Sequence, residues 1–110
     1  MQKRVYVCSW FLFLLLTAPS EHSALQNQPN RLVVDNRTPW VCDLYAWRWN
    51  GQAWNWTFVM NINPRSWAPL FNVQNGENFR AVLPNFQRDH TVRLVYDRSY
   101  GGWQDVWWVQ

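Results

Sequence analysis

The side chains best equipped for chemistry in this chain are aromatic rather than ionisable. Trp49, Trp54 and Trp56 flank an Asn50-Gly51 dipeptide, with Arg48, Gln52 and Asn55 beside them. Flat rings next to amides and a guanidinium suit a sugar, whose C–H faces stack on indole while its hydroxyls seek hydrogen-bond partners. Trp67 is a second candidate, because it sits between Pro64 and Pro69 in a stretch that reads as a loop. The candidate ligand-binding set is therefore Trp49, Trp54, Trp56, Trp67, Arg48, Asn50, Gln52 and Asn55.

The ionisable residues form no comparable pattern. His90 and Asp89 share a polar loop, and even with Cys42 they supply too few ligands for a metal, so His90 reads as solvated. No nucleophile-elbow motif is present, and Cys42 falls on an aliphatic strand face where an inert buried thiol is expected. Asp43 with Asp105 or Glu77 could be drawn as the facing carboxylates of a glycosidase. Seven scattered acids make such pairs easy to imagine in a chain small for an enzyme pocket. The expectation is a non-enzyme without metal or cofactor.

The elements that must position the rings are strands. No segment keeps a helical period, whereas β-branched and aromatic residues recur in short runs between turn signals. Strands are predicted at 31–35, 40–49, 52–60, 70–73, 78–83, 91–96 and 103–109, with loops at 61–69 and 84–90. Seven strands without a helix predict an all-β fold, a small antiparallel β-sandwich or partly closed barrel.

Asn50-Gly51 is a strong hairpin signal. A two-residue turn there opposes Trp49 to Gln52, Trp47 to Trp54, Tyr45 to Trp56 and Asp43 to Phe58. All of these share one face, since successive side chains alternate. The other face carries Trp40, Cys42, Leu44 and Ala46 opposite Asn61, Val59, Thr57 and Asn55. Either the ring face is core, or it is an exposed patch that calls for a ligand or partner. Near the turn, Arg48, Ala53 and Asn55 make a poor core, which favours burying the rings. On this reading Tyr45, Trp47 and Phe58 are buried, and Trp49, Trp54 and Trp56 carry the ligand hypothesis. A bulge at Gly51 would change the pairing.

Bulk properties place the chain outside the cell interior. Lys3 and Arg4 precede an apolar run over residues 10–16, and small residues follow, so residues 1–20 read as a signal peptide. Cleavage falls after Ser20 or, alternatively, Ala24. From residue 5 to 18 the run is too short for a bilayer, which needs about 20 apolar residues, so no stable membrane insertion follows cleavage. Residues 21–30 read as a flexible leader and 31–110 as one domain, secreted or periplasmic.

Past residue 20 there are eight arginines, no lysine and seven acids, a net charge of +1. The arginines are dispersed, which argues against a nucleic-acid surface and suits stacking on ring faces. Only Cys42 remains, so no internal disulfide forms. Burial of large rings would then have to stabilise the domain, which is the main non-functional explanation for so many tryptophans. Asn55-Trp56-Thr57 and Asn36-Arg37-Thr38 match the glycosylation pattern, but strand placement and Pro39 respectively disfavour them.

Residues 34–82 carry V-x-N-x-T-P-x-V from Val34, W-x-W-N-G from Trp47, then Pro64 before F-x-V-x-x-G-x-x-F from Phe71. In these pieces the chain resembles the β domain of the von Hippel–Lindau tumour suppressor and its bacterial look-alikes. The resemblance implies a seven- or eight-stranded β-sandwich. The family docks a hydroxyproline peptide through a Ser and a His, and the matching positions here are Val73 and Glu77. The fold is implied; the peptide-binding chemistry is not.

The reading is an exported, non-catalytic module that binds through surface tryptophans, with a glycan preferred as ligand. The alternative is a structural or protein-interaction β-domain whose tryptophans are mainly core.

Overall fold

Successive side chains of the first strand point to opposite faces, and that period of two sets what it buries. In the computed structural model, which describes residues 28–110, Leu32, Val34 and Asn36 of β1 (Arg31–Asn36) point inward and are fully buried. Seven more strands follow: β2 (Cys42–Trp49), β3 (Trp54–Ile62), β4 (Ser66–Phe71), β5 (Asn78–Leu83), β6 (Phe86–Thr91), β7 (Val95–Asp97) and β8 (Gly102–Val109). They form two open four-stranded sheets, ordered β4-β1-β8-β7 (sheet one) and β3-β2-β5-β6 (sheet two). The expected β-sandwich is present, and it does not close into a barrel. All pairs are antiparallel except β1 with β8, which run parallel.

Two expected loops prove to be strands. Residues predicted as loop at 61–69 supply the end of β3 and the start of β4, where Pro69 lies opposite Val33. A proline is tolerated there because β4 is an edge strand. Residues predicted as loop at 84–90 contain most of β6, a polar edge strand whose charges conceal its period. The Asn75-Gly76 turn does not join neighbours in one sheet. It carries the chain from β4 in sheet one to β5 in sheet two.

The core between the sheets is aliphatic. Leu32, Val34, Cys42, Leu44, Ile62, Phe79, Ala81 and Val109 are almost wholly excluded from solvent. Of the tryptophans described, only Trp107 joins them, at 7% exposure. The expectation that large rings replace a disulfide as the source of stability is therefore overturned. Aliphatic residues with Phe79 and Trp107 pack between the sheets, and the other tryptophans lie outside.

One polar residue sits at the margin of this core. The Asn36 side-chain amide donates to the carbonyls of Trp40 (2.7 Å), Ile62 (3.1 Å) and Asn63 (3.1 Å). Its oxygen accepts from the Thr38 amide (3.1 Å) and hydroxyl (2.7 Å). It ties the end of β1 to the following turn and to the end of β3. With its amide engaged this way, Asn36 offers no free acceptor for a glycan in the folded domain.

Residues 28–30 also pack on the domain. The Gln28 amide donates to Gly101 O, Tyr100 Oη donates to Pro29 O, and the Asn30 side chain donates to Val73 O. A Cβ on Gly102 would stand 2.8 Å from Gln28 O, so only glycine admits this approach. The predicted signal peptide and the leader before residue 28 lie outside the described residues.

Asn36→Ala leaves three carbonyls without their donor and is expected to lower stability by roughly 2–3 kcal/mol in urea unfolding. Asn36→Asp is expected to cost more, since it sets an acceptor against those carbonyls. Cys42 behaves as the sequence suggests: burial, reinforced by the nearby Asp43 charge, pushes its thiol up to about 11. The folded state holds this proton more tightly than the unfolded one. Its contribution is complete below the ordinary thiol value of 9.0 and is lost as pH rises towards about 11. Thiol-reactive dye is expected to label Cys42 only on unfolding, and Cys42→Ala to flatten the alkaline stability loss.

Candidate functional site

The β2–β3 hairpin positions the rings, and its turn differs from the two-residue form. A type I′ turn needs positive φ at both central residues, and here only Gly51 has it (φ 101°) while Asn50 does not. The Asn50 side-chain oxygen instead accepts from the amides of Gln52 (2.8 Å) and Ala53 (2.9 Å). This asparagine-centred turn spends four residues on the connection. Trp49 consequently opposes Trp54, Trp47 opposes Trp56 and Tyr45 opposes Phe58. From Tyr45 to the tip each expected pair is displaced by one step of two residues, so those side chains still share the face; below the bulge the shift is three, and Asp43 opposes Asn61 instead of Phe58. A bulge occurs further down, between the Leu44 and Tyr45 pairings, rather than at Gly51.

The inner face of the hairpin is buried only as far as Ala46; Arg48 beyond it is exposed and Asn55 half-buried. Those residues did not have to form a core, because the tip extends past it. The ring face is the outer surface of sheet two. Trp49 and Trp54 are 55% and 56% exposed, Trp47 and Phe58 are also exposed, and Tyr45 and Trp56 are half-buried. The expected burial of Tyr45, Trp47 and Phe58 is thus corrected for Trp47 and Phe58 and reached only partly by Tyr45. Aliphatic Cys42, Leu44 and Ala46 took the core side.

The rings form a continuous row. Trp49 lies 6.1 Å from Trp54, which stacks on Trp47 at 6.4 Å with planes 14° apart; Trp47 in turn meets Trp56 at 5.1 Å. Tyr45 and Phe58 continue it edge to face at 5.7 Å. Such cross-strand pairs add roughly 0.2–1 kcal/mol each, far less than burial would.

Polar residues border the row. Trp47, Trp54 and the turn at 74–78 line an open groove of about 440 Å³, and Trp47, Trp56, Asn78 and Asp89 line a neighbouring hollow of about 220 Å³. The Arg80 guanidinium lies 4.2 Å above the Trp56 ring and grips both Asp89 oxygens, at 2.7 and 2.9 Å. This contact holds the Asp89 carboxyl below its usual range and raises the Arg80 value. The expected stacking of arginine on rings recurs with Arg37 over Trp108, Arg31 over Tyr100 and Arg88 over Phe86.

The predicted site residues therefore separate. Trp49, Trp54 and Trp56 come together, with Gln52 and Asn50 at the exposed tip, Asn50 being occupied in building the turn. Arg48 and Asn55 pair on the reverse side of the hairpin. Trp67 is not on a loop; it lies in β4 on the outer face of sheet one, beside Asp35 and in line with Trp108. It belongs to a separate exposed patch. Trp47, Asn75, Glu77 and Asn78 were missed as site residues. The second Asn-Gly turn was the available signal, but only the crossing between sheets brings it beside the hairpin.

The ionisable residues are dispersed. Asp43 accepts from Asn61 on the outer face of sheet two, whereas Asp105 belongs to sheet one, so the two are not facing carboxylates. His90 is not solvated as expected. Its ring stacks on Trp107 at 4.9 Å and its Nε2 lies 2.7 Å from Asp105, joining the sheets at their margin. Among the described residues no three metal-ligating side chains come together, and no helix is long and apolar enough to cross a membrane.

Comparison of the chain with protein-family models, with curated proteins and with solved structures finds no match. Nothing in them ties the chain to the von Hippel–Lindau β domain.

Exposed and buried rings should differ in energetic weight. Trp49→Ala and Trp54→Ala are each expected to cost no more than about 1 kcal/mol, and Trp107→Ala about 3–5 kcal/mol, in parallel denaturant titrations. For the ion pair, Arg80→Ala is expected to raise the Asp89 carboxyl towards its ordinary value in an NMR titration. The depressed value means that the pair supports the fold above the usual aspartate range and weakens as pH falls.

Proposed function

We propose that this domain is an exported, non-catalytic binding module that takes a glycan on the outer face of sheet two. The observation that carries this reading is the row Trp49, Trp54 and Trp47, held open to solvent on the side away from the core and continued by the half-buried Trp56. Rings that stabilise a fold go inside, and an exposed row of this size calls for an occupant.

A sugar suits the surroundings. The groove is shallow and open, as a chain of pyranose units requires, and amide side chains stand along its polar wall. Arg80 and Asp89 neutralise one another, so the neighbouring surface offers hydrogen bonds without a strong field of either sign. The export element rests on residues 1–20, with their basic start and apolar run. A protein partner is the second reading. It is favoured by the separate patch on sheet one, where Trp67, Phe71, Val106 and Trp108 are all exposed.

The test is intrinsic tryptophan emission during titration with β-linked oligosaccharides. A saturable shift is expected; Trp54→Ala should abolish it and Trp47→Ala should weaken affinity about tenfold, both variants staying folded. Trp67→Ala should leave the shift intact, because that ring lies on the other sheet. No saturable response to any glycan, with capture of a partner that depends on Trp67, would transfer the function to the sheet-one patch.

A further inference from the structure

The polar wall of the groove has a fixed donor and acceptor pattern, and that pattern narrows the ligand. Asn75 Oδ1 accepts a 2.6 Å hydrogen bond from the Leu94 amide. A backbone N–H only donates, so the side chain must direct its oxygen there and leave its NH2 for the groove. Asn78 Oδ1 is likewise held by the Thr91 hydroxyl at 2.6 Å, freeing a second amide donor. Glu77 stands between them in sequence and lines the same groove. Among the described residues it enters no ion pair and no side-chain hydrogen bond, so its oxygens are open acceptors. The opposite wall is apolar, made of the Trp47 and Trp54 rings.

A wall with donors, an acceptor and an aromatic face matches the three parts of an acetamido group. Its carbonyl accepts from an asparagine NH2, its N–H donates to Glu77, and its methyl rests on indole. A plain hydroxyl fills either polar role but leaves the ring face with less to cover. A protonated amino group would gain Glu77 and the ring faces. It would also meet two NH2 donors, and Arg48 shares the adjoining cleft with Glu77.

Resting on the glycan reading of this groove, we propose that its ligand carries 2-acetamido groups: the domain recognises N-acetylhexosamine units in preference to unsubstituted or de-N-acetylated sugars.

Calorimetry with three β1→4 tetrasaccharides tests this: the N-acetylglucosamine form, its de-N-acetylated form and the glucose form. The expected result is that the N-acetylated form binds about tenfold more tightly than either of the others. Glu77→Ala should reduce that preference to about threefold or less, because the acetamido N–H loses its acceptor. The Glu77 carbonyl that accepts from the Val92 amide belongs to the backbone, so the turn is retained, and a far-UV melt verifies this. Equal binding of the N-acetylated and glucose forms would overturn the acetamido proposal and leave the glycan reading standing. Tightest binding of the de-N-acetylated form would overturn it in favour of a cation site. No binding of any of the three, with none of a wider glycan set, would remove both.

Discussion

A single buried amide holds the two layers in register. Asn36 has every polar atom of its side chain engaged, and its partners lie at the end of β1, in the turn that follows, and at the end of β3. That turn delivers the chain from sheet one to β2 in sheet two. Without it, the start of β2 would not meet the end of β3, and the hairpin would lose its anchored end. A domain with no disulfide and a core of modest aliphatic side chains has few rigid links between its layers. Asn36 supplies one at the edge, and the His90–Asp105 contact over Trp107 supplies another.

With the anchored end fixed, the free end of the hairpin is released for other work. Cys42, Leu44 and Ala46 fill the core, and the strands then run on past it. The rings that follow can be large and exposed because the fold does not depend on them. Cross-strand stacking and arginine lids keep them ordered without enclosing them, as Arg80 does for Trp56. Stability and the exposed aromatic surface are thereby assigned to different residues of the same two strands.

Much of this was legible in the chain. Alternation identified which residues of β2 and β3 share a face from Tyr45 to the tip, where the error in turn length was a whole period; below the bulge it failed, and Asn61 joined the outer face. The choice of buried face was not legible. It depended on how far the hairpin overhangs the opposing sheet, which is a property of the assembled layers. Strands β4 and β6 were hidden by prolines and charges that edge positions accept. The groove was hidden for a related reason: Glu77 and Trp47 are thirty positions apart, and only the crossing from β4 to β5 makes them neighbours. Trp67 looked similar to the hairpin rings in composition, yet its strand belongs to the other layer.

The parallel pairing of β1 with β8 bears on the order of assembly. Sheet one has its two central strands at opposite ends of the domain sequence, Val34 lying beside Trp107. Sheet two, by contrast, contains the local β2–β3 and β5–β6 hairpins. Loop-closure entropy makes the distant pairing slow to form. Half of the sandwich can therefore take shape early, but the layer that covers it must wait for residues 102–109. Until they arrive, Leu44 and Phe79 lack the layer that covers them.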